Sequence, residues 1–516
     1  MERRAAGEPE AVIFAVACDG TLDDVPDVPP TASFVEYQLN ALRRPFDASD
    51  SHVSRSLSVA VTDAPSVDSV EITPRSLDLS VGDEESLAAT VNAVGGASTD
   101  VTWSSSDPDA VAVDPTGVVS ALGPGTSIVT ATSVFDLTKT DSIPVTGVES
   151  GTLRWAINLG TDSEAVGAVA TDPEGNVIVA VNTQGGLVGP SGGGTDVALL
   201  KFSPQNEPIW VVQFGSAADD RALGVATDLA GNVVVAGRTF GDLAEPNAGA
   251  SDAFVAVFGP DGKARWRVQF GTAEMNYATA VSTDALGNVL VAGVTADSLT
   301  GEPLEWWAAA HGFLVKFDSG GRELWTRQFF STSQGEHVHA VASGPGGDVA
   351  VAVTGHRDHG YVQYFDTAGE PTRVLTFGTY TSAIDVAFDA SGATFVVGTT
   401  MSDNPWVFSS TAYLAKFDST GERLWDRSIG PVEGSFPYSV ATDARGNALV
   451  AGLTQGDLGG SDPDAPGFLV KYDADGDRTW VHQFHPVAEQ LAVDSVGNSY
   501  VVGNDGGAVR VAKLSP

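Results

Sequence analysis

Apolar and polar positions repeat along this chain with a period near fifty residues. The clearest copy is ATDLAGNVVVAG, beginning at Ala226, followed by DAFVAVFGPDGKARW and ending at Trp266. With the Asp of ATD as origin, the copies fall at Asp172, Asp228, Asp284, Gly344, Asp389, Asp443 and Asp494, in steps of 56, 56, 60, 45, 54 and 51 residues. Each copy divides into four short runs. The first (ALGVATD, ATAVSTD, YSVATD) is made of small residues and closes on D-x-x-G-N, in which Asp bonds its own backbone and Gly tolerates positive φ, as a tight hairpin requires. The second run, VVVAG or VLVAG, is continuously apolar and predicts a strand covered on both faces. The third reads FLVKF at Phe313, YLAKF at Tyr413 and FLVKY at Phe468. The fourth opens with Trp210, Trp266, Trp325, Trp425 or Trp480, and with Arg373 in the fourth copy. Four strands per copy over seven copies predict an all-β, seven-bladed β-propeller, with the tryptophans packed between blades.

The ends of the repeat region fit together. GTLRWAINLG at Gly151 matches a fourth strand with no repeat before it, and GGAVRVAKLSP at the end matches a third strand with no fourth after it. The segment near Trp155 is therefore expected to pair with Ala508 to Leu514 and complete the seventh blade, removing sheet edges that would otherwise invite aggregation. Upstream, residues 66–148 carry short alternating strands separated by Pro, Gly and Asp turns. They predict an immunoglobulin-like β-sandwich with Trp103 in its core. Between 31 and 65, SFVEYQLNALRRPF predicts a short helix and RSLSVAVTD a strand.

Two stretches resemble known families. The recurring W-x-x-Q-F-G, GVATDxxGNVxVAG and DAFLVKFDxxG resemble the bacterial β-propeller repeat called SBBP over residues 151–516; that resemblance implies fold and an extracellular habit, but no reaction. VTWSSSDPDAVAVDPTGVVSALGPGT resembles the bacterial Ig-like domain of group 2, which implies a stalk or adhesion module.

Charge narrows the partners. The chain holds 66 acidic and 27 basic residues, a net charge of −39. Such a surface repels phosphate backbones, so nucleic acid is excluded as an expected partner, and it favours solubility at high ionic strength. The first eighteen residues combine Arg3 and Arg4 with AVIFAVA and the single cysteine, Cys18. They resemble a lipoprotein signal, followed by an acidic, Pro-rich tether over 19–65. Lipidation at Cys18 would be the only membrane attachment, because no apolar run reaches the roughly 18 residues a spanning helix needs.

The chemistry is less legible. Serine-nucleophile elbows, HExxH and phosphate loops are missing from the sequence. Long loops carrying Trp306, Trp307, Trp406, Phe436 and Tyr438 among acids and amides are expected on one face and suit a carbohydrate or protein ligand; capping of the core is the alternative. The fourth copy departs from its siblings at Gly344, Asp348, Val353, Tyr364 and Arg373, and concentrates His337, His339, His356 and His359 near Asp358. Converging imidazoles with a carboxylate suit zinc, against the alternative of a degenerate repeat. Asp473, Asp475 and Asp477 resemble part of a calcium loop but lack the downstream Glu, leaving an ordinary acidic turn as the alternative. Lys201, Lys316, Lys416, Lys471 and Lys513 share one slot, and are expected to meet the repeated Asp as partly buried ion pairs. Together these features predict a non-enzymatic binding protein, lipid-anchored in the cell envelope or secreted, in which an Ig-like spacer presents a propeller. A propeller enzyme of lyase or glycosidase type and a structural surface-layer component are the alternatives.

Overall fold

The computed structural model describes residues 35–39, 55–59 and 65–516, apart from 160–163, 188–191, 302–309, 330–335, 356–358, 378–380, 402–409, 431–433, 461 and 506–507. Among the described residues every regular element is a strand, and no helix is long and apolar enough to cross a membrane. The chain divides into two compact units, Met1–Glu149 and Ser150–Pro516.

In the first unit, Val35–Leu39 pairs antiparallel with Arg55–Val59. The helix expected across residues 33–46 is therefore corrected over 35–39, the described part of that segment: pairing with a distant strand satisfies this backbone where a helix would have used local bonds. Residues 66–148 form a four-stranded sheet (Leu77–Ser80, Thr140–Val148, Gly125–Ser133, Val101–Ser105), a three-stranded sheet (Glu84–Ser86, Val118–Ala121, Val111–Val113) and the pair Ser66–Thr73 with Ala88–Val94. Alternating residues Ile72, Leu79, Val111, Val129, Ile143 and Val145 build the core, with Trp103 packed on it. Gly117 has φ +91°, and a Cβ there would lie 2.9 Å from the Trp103 ring, so both the turn and the indole demand glycine.

Among its described residues the second unit holds seven four-stranded antiparallel sheets. Sheet one is Glu164–Thr171, Val177–Thr183, Asp196–Phe202 and Pro208–Phe214; sheets two to six repeat that order, with first strands Asp220–Thr227, Asn276–Thr283, His337–Ser343, Asp385–Phe388 and Ser435–Thr442. Sheet seven is Gln490–Val493, Ser499–Asp505 and Ala508–Leu514, completed by Leu153–Leu159, which places Trp155 opposite Lys513. The second strands are buried along almost their whole length, as their unbroken apolar runs require. Burial of each such Val or Leu contributes roughly 1.5–3 kcal/mol. The core is distributed between sheets: Leu199 of sheet one shares a cluster with Val235 of sheet two, and Val179 of sheet one shares another with Val502 of sheet seven. First strands also touch in sequence. The Thr227 hydroxyl donates to Thr171 O, the Thr283 hydroxyl to Thr227 O, and the Thr171 hydroxyl to Val493 O.

The repeated Asp and Lys meet within one sheet. Lys201 lies 2.6 Å from Asp172, Lys316 2.8 Å from Asp284, Lys471 3.0 Å from Asp443 and Lys416 3.5 Å from Asp389. Burial by itself raises the Asp172 carboxyl, but Lys201 and the Asn176 amide outweigh it and hold the group below the usual carboxylate range. Lys513 is also buried and donates to Pro204 O.

The repeated tryptophans bridge neighbouring repeats. Trp210, Trp266, Trp325 and Trp425 each donate the indole N–H to a carbonyl of the next hairpin, at Pro260, Ser319, Thr367 and Ala474. Sheet four changes this pattern in a compensated way: Tyr364 stands where the lysine would be and Arg373 where the tryptophan would be. The guanidinium lies 3.9 Å over the Tyr364 ring and donates to Ser419 O. Cation and aromatic have exchanged slots while the contact to the next hairpin survives.

Candidate functional site

The small residues of the first strands let these strands crowd together, and a bulge interrupts five of them. The register slips around Gly167, Leu223, Thr279, His339 and Tyr438, each five residues before its hairpin position. A bulge leaves one residue out of the ladder and re-aims it. First strands of all seven sheets, or the residue just before one, line a single cavity of about 180 Å³. A lone water needs only roughly 10–15 Å³ of such space, so the cavity takes a small molecule or a side chain. Its surface is mostly polar, with His339, Asp385, Tyr438, Gln490 and Thr279 among its lining.

The electrostatics follow from enclosure. His339 touches the cavity solvent but is walled in elsewhere; burial, then the neighbouring His337, lowers its pKa to about 4. The two rings lie 6.4 Å apart. Asp385 accepts hydrogen bonds from the Ser439 hydroxyl and from the Val440 and Val386 N–H groups. Burial nevertheless pushes its carboxyl up to about 6. Burial and the Glu489 charge raise the Tyr438 phenol. At neutral pH the cavity thus presents a neutral imidazole, a phenol and a carboxylate.

These shifts oppose each other. Asp385, raised from 3.8 to about 6, contributes stability that is complete below pH 3.8 and lost as pH rises to 6. His339, lowered from 6.5 to about 4, contributes stability present above pH 6.5 and lost as pH falls to 4. Relative to wild type, Asp385→Asn is expected to gain on the order of 2 kcal/mol as pH rises from about 4 to 6, whereas His339→Gln gains as pH falls from about 6.5 to 4. Urea unfolding of the three proteins across this range checks it; differences that do not change with pH would contradict the assignment.

The residues singled out by sequence are placed as follows. Tyr438 lines the cavity, and Phe436 lies two residues before it. Both belong to the strand Ser435–Thr442, a correction to their expected place in a loop, because a bulge at Tyr438 lets pairing with Ala448–Thr454 continue past it. Trp306, Trp307 and Trp406 lie outside the described residues, as do Cys18, His356 and Asp358. His359 is half-buried at the start of its strand and pairs with Gly355. Among the described residues no three His, Cys, Asp or Glu side chains converge on a metal position. Asp473, Asp475 and Asp477 form a tight turn in which Asp473 accepts the N–H groups of Asp475 and Asp477, the same arrangement found at Asp418.

Asp385 escaped sequence reasoning, though a signal existed. Four residues before the hairpin position the siblings carry Ala168, Gly224, Ala280, Ala340 and Ser439, while Asp385 and Gln490 are large and polar. A side chain that breaks a run of small residues at a crowded position marks a cavity wall.

Comparisons with known proteins add the following. A crystal structure of a protein of unknown function from Bacteroides caccae is similar over 64% of this chain and 98% of its own, at 12% identity and a TM-score of 0.37. Raptor from Chaetomium thermophilum is similar over 71% of this chain and 29% of its own, at 10% identity and a TM-score of 0.46. No curated protein matches the chain. Residues 66–140 match the family model of the bacterial Ig-like domain (group 2), and this part of the chain is a domain of that kind.

Proposed function

We propose that the seven sheets form a closed, seven-bladed β-propeller of the SBBP type, and that this propeller is the binding part of a non-catalytic envelope or secreted protein. The Ig-like domain is its spacer, Cys18 its lipid attachment, and a carbohydrate or protein its ligand. The reading of closure is supported by the bond from the Thr171 hydroxyl to Val493 O and by the core shared between sheets seven and one. The observation that carries the binding role is the polar cavity lined by His339, Asp385 and Tyr438. Convergent polar groups in a cavity fix the orientation of a ligand bound there.

The experiment is binding of the purified chain to a glycan array and to bacterial envelope fractions, beside a His339→Ala, Tyr438→Ala variant. Saturable binding by the wild type that the variant weakens tenfold or more is expected. Binding by neither protein, or equal binding by both, would overturn the cavity as the ligand site. The enzyme alternative draws on one observation, a carboxyl with pKa about 6 in the same cavity as a neutral histidine, which suits general acid–base work. Product formation from the bound glycan, abolished in Asp385→Asn, would favour that reading.

A further inference from the structure

The seams between sheets one and two and between sheets two and three are built from equivalent residues one repeat of 56 positions apart, and at the start of the first strand they differ in a buried charge, Asp220 against Asn276. At the second seam Asn276 opens its strand, and its amide nitrogen donates into a nest of oxygens: Glu274 O at 2.8 Å, Thr272 Oγ1 at 3.2 Å, Ser251 O at 3.3 Å and Thr272 O at 3.4 Å. At the first seam the residue in the place of Asn276 is Asp220, and the equivalents of the surrounding groups are Ala218, Ser216 and Thr195. The loops follow the same path. Ala218 N donates to Ser216 Oγ as Glu274 N does to Thr272 Oγ1, and Asp220 N donates to Thr195 O as Asn276 N does to Ser251 O. The first seam therefore keeps the nest of oxygens but loses the N–H donor that filled it.

A second carboxylate faces the same spot. Asp196 and Asp220 are both buried, at 2% and 0% exposure. A Cβ at Gly215 would lie 2.1 Å from Asp196 Oδ1 and 3.1 Å from Asp220 Oδ2, so the two groups flank one residue. Asp196 Oδ2 accepts from Gly192 N and the Gln213 amide, whereas Asp196 Oδ1 is buried with no hydrogen-bond donor. Asp220 Oδ2 accepts from Ser216 N, the Thr239 and Ser216 hydroxyls also lie against this carboxyl and favour its charged form, and Asp220 Oδ1 is buried without a well-formed hydrogen bond. Burial first, and the Asp196 charge as a lesser cause, raise the Asp220 carboxyl. Two buried carboxylates facing one another are unfavourable unless a proton or a cation offsets their charge. At the equivalent place in sheet four an acid is compensated: buried Glu336 acts on buried His311 and accepts from the Tyr361 hydroxyl.

We propose that the seam between sheets one and two is a binding site for a hard divalent cation of the calcium class, held by the carboxylates of Asp196 and Asp220 with oxygens of Thr195, Ser216 and Ala218. Calcium takes six to eight oxygen ligands and mixes carboxylates with backbone carbonyls, which suits a site of two acids and several neutral oxygens. The cation ties sheet one to sheet two and is structural. It does not depend on the ligand reading of the polar cavity.

The test uses the full chain, stripped with a chelator and titrated with calcium chloride, alongside Asp220→Asn and Asp475→Asn. Asp220→Asn restores the amide chemistry that the neighbouring seam already accommodates, so it is expected to fold. Wild type and Asp475→Asn should each bind one equivalent of calcium that Asp220→Asn lacks, measured by calorimetry. The Tm of wild type should rise with calcium, while that of Asp220→Asn starts higher in chelator and does not respond. Equal calcium stoichiometry in wild type and Asp220→Asn, loss of the equivalent in Asp475→Asn instead, or a wild-type Tm indifferent to calcium would each overturn the site. Should Asp220→Asn fail to fold, Asp196→Asn gives the same comparison.

Discussion

Replacing Asp172 by alanine is expected to cost about 3–5 kcal/mol of stability, the usual penalty for removing one partner of a buried ion pair. The Lys201 side chain is 4% exposed and the Asp172 side chain 0%, so the ammonium left behind has neither counterion nor water. The same substitution also removes the acceptor of the Glu174 and Asn176 N–H groups that shape the hairpin. A double change, Asp172→Ala with Lys201→Met, should recover the part of the loss due to the stranded ammonium, because two charges then leave the interior together, while the hairpin bonds stay lost. The chain contains a related arrangement: in sheet two Val257 occupies the lysine slot, and the corresponding Asp228 is half-buried where Asp172 is buried. Urea unfolding of the single and double variants is the measurement, and a single-variant cost below about 1 kcal/mol would contradict the ion-pair account.

Gly321→Ala is the second change expected to have a large effect, about 2–5 kcal/mol, from backbone strain and overpacking acting together. Gly321 has φ +86°, where an L side chain is strained, and its Cβ would lie 2.7 Å from the Trp266 ring. Trp266 is held in turn by its bond to Ser319 O and packs against the core shared by sheets two and three. Gly287 separates the two causes. Its φ is +74°, but the nearest atom to an added Cβ is Asp228 Oδ2 at 3.6 Å. Gly287→Ala should therefore cost only the strain, about 1–2 kcal/mol. Thermal unfolding of both variants decides it; equal losses would show that the tryptophan contact contributes nothing.

The two glycines look alike in the sequence, each closing a D-x-x-G turn, and the turn chemistry is legible from that motif alone. That one of them also lies beneath an indole from the preceding repeat is not, because the contact joins residues 55 positions apart across a sheet boundary. The same limit applies to the polar cavity. His339 drew attention as a histidine in an atypical repeat, and Tyr438 as an aromatic in a polar stretch. Their meeting with Asp385 depends on first strands from three different repeats.

By itself the sequence determined the local and periodic features: the four-strand unit, its hairpins and the buried second strands. Each rests on interactions within one repeat, where residue spacing alone fixes which side chains share a face. The pairing of the terminal strand Leu153–Leu159 with Ala508–Leu514 was also legible, since an incomplete repeat at each end leaves complementary gaps. Only the tertiary structure decided which residues face the cavity and which carboxylates meet at the seam between sheets one and two. Bulges re-aim single residues out of the alternating pattern, and the energy of a buried charge depends on neighbours that come from another repeat.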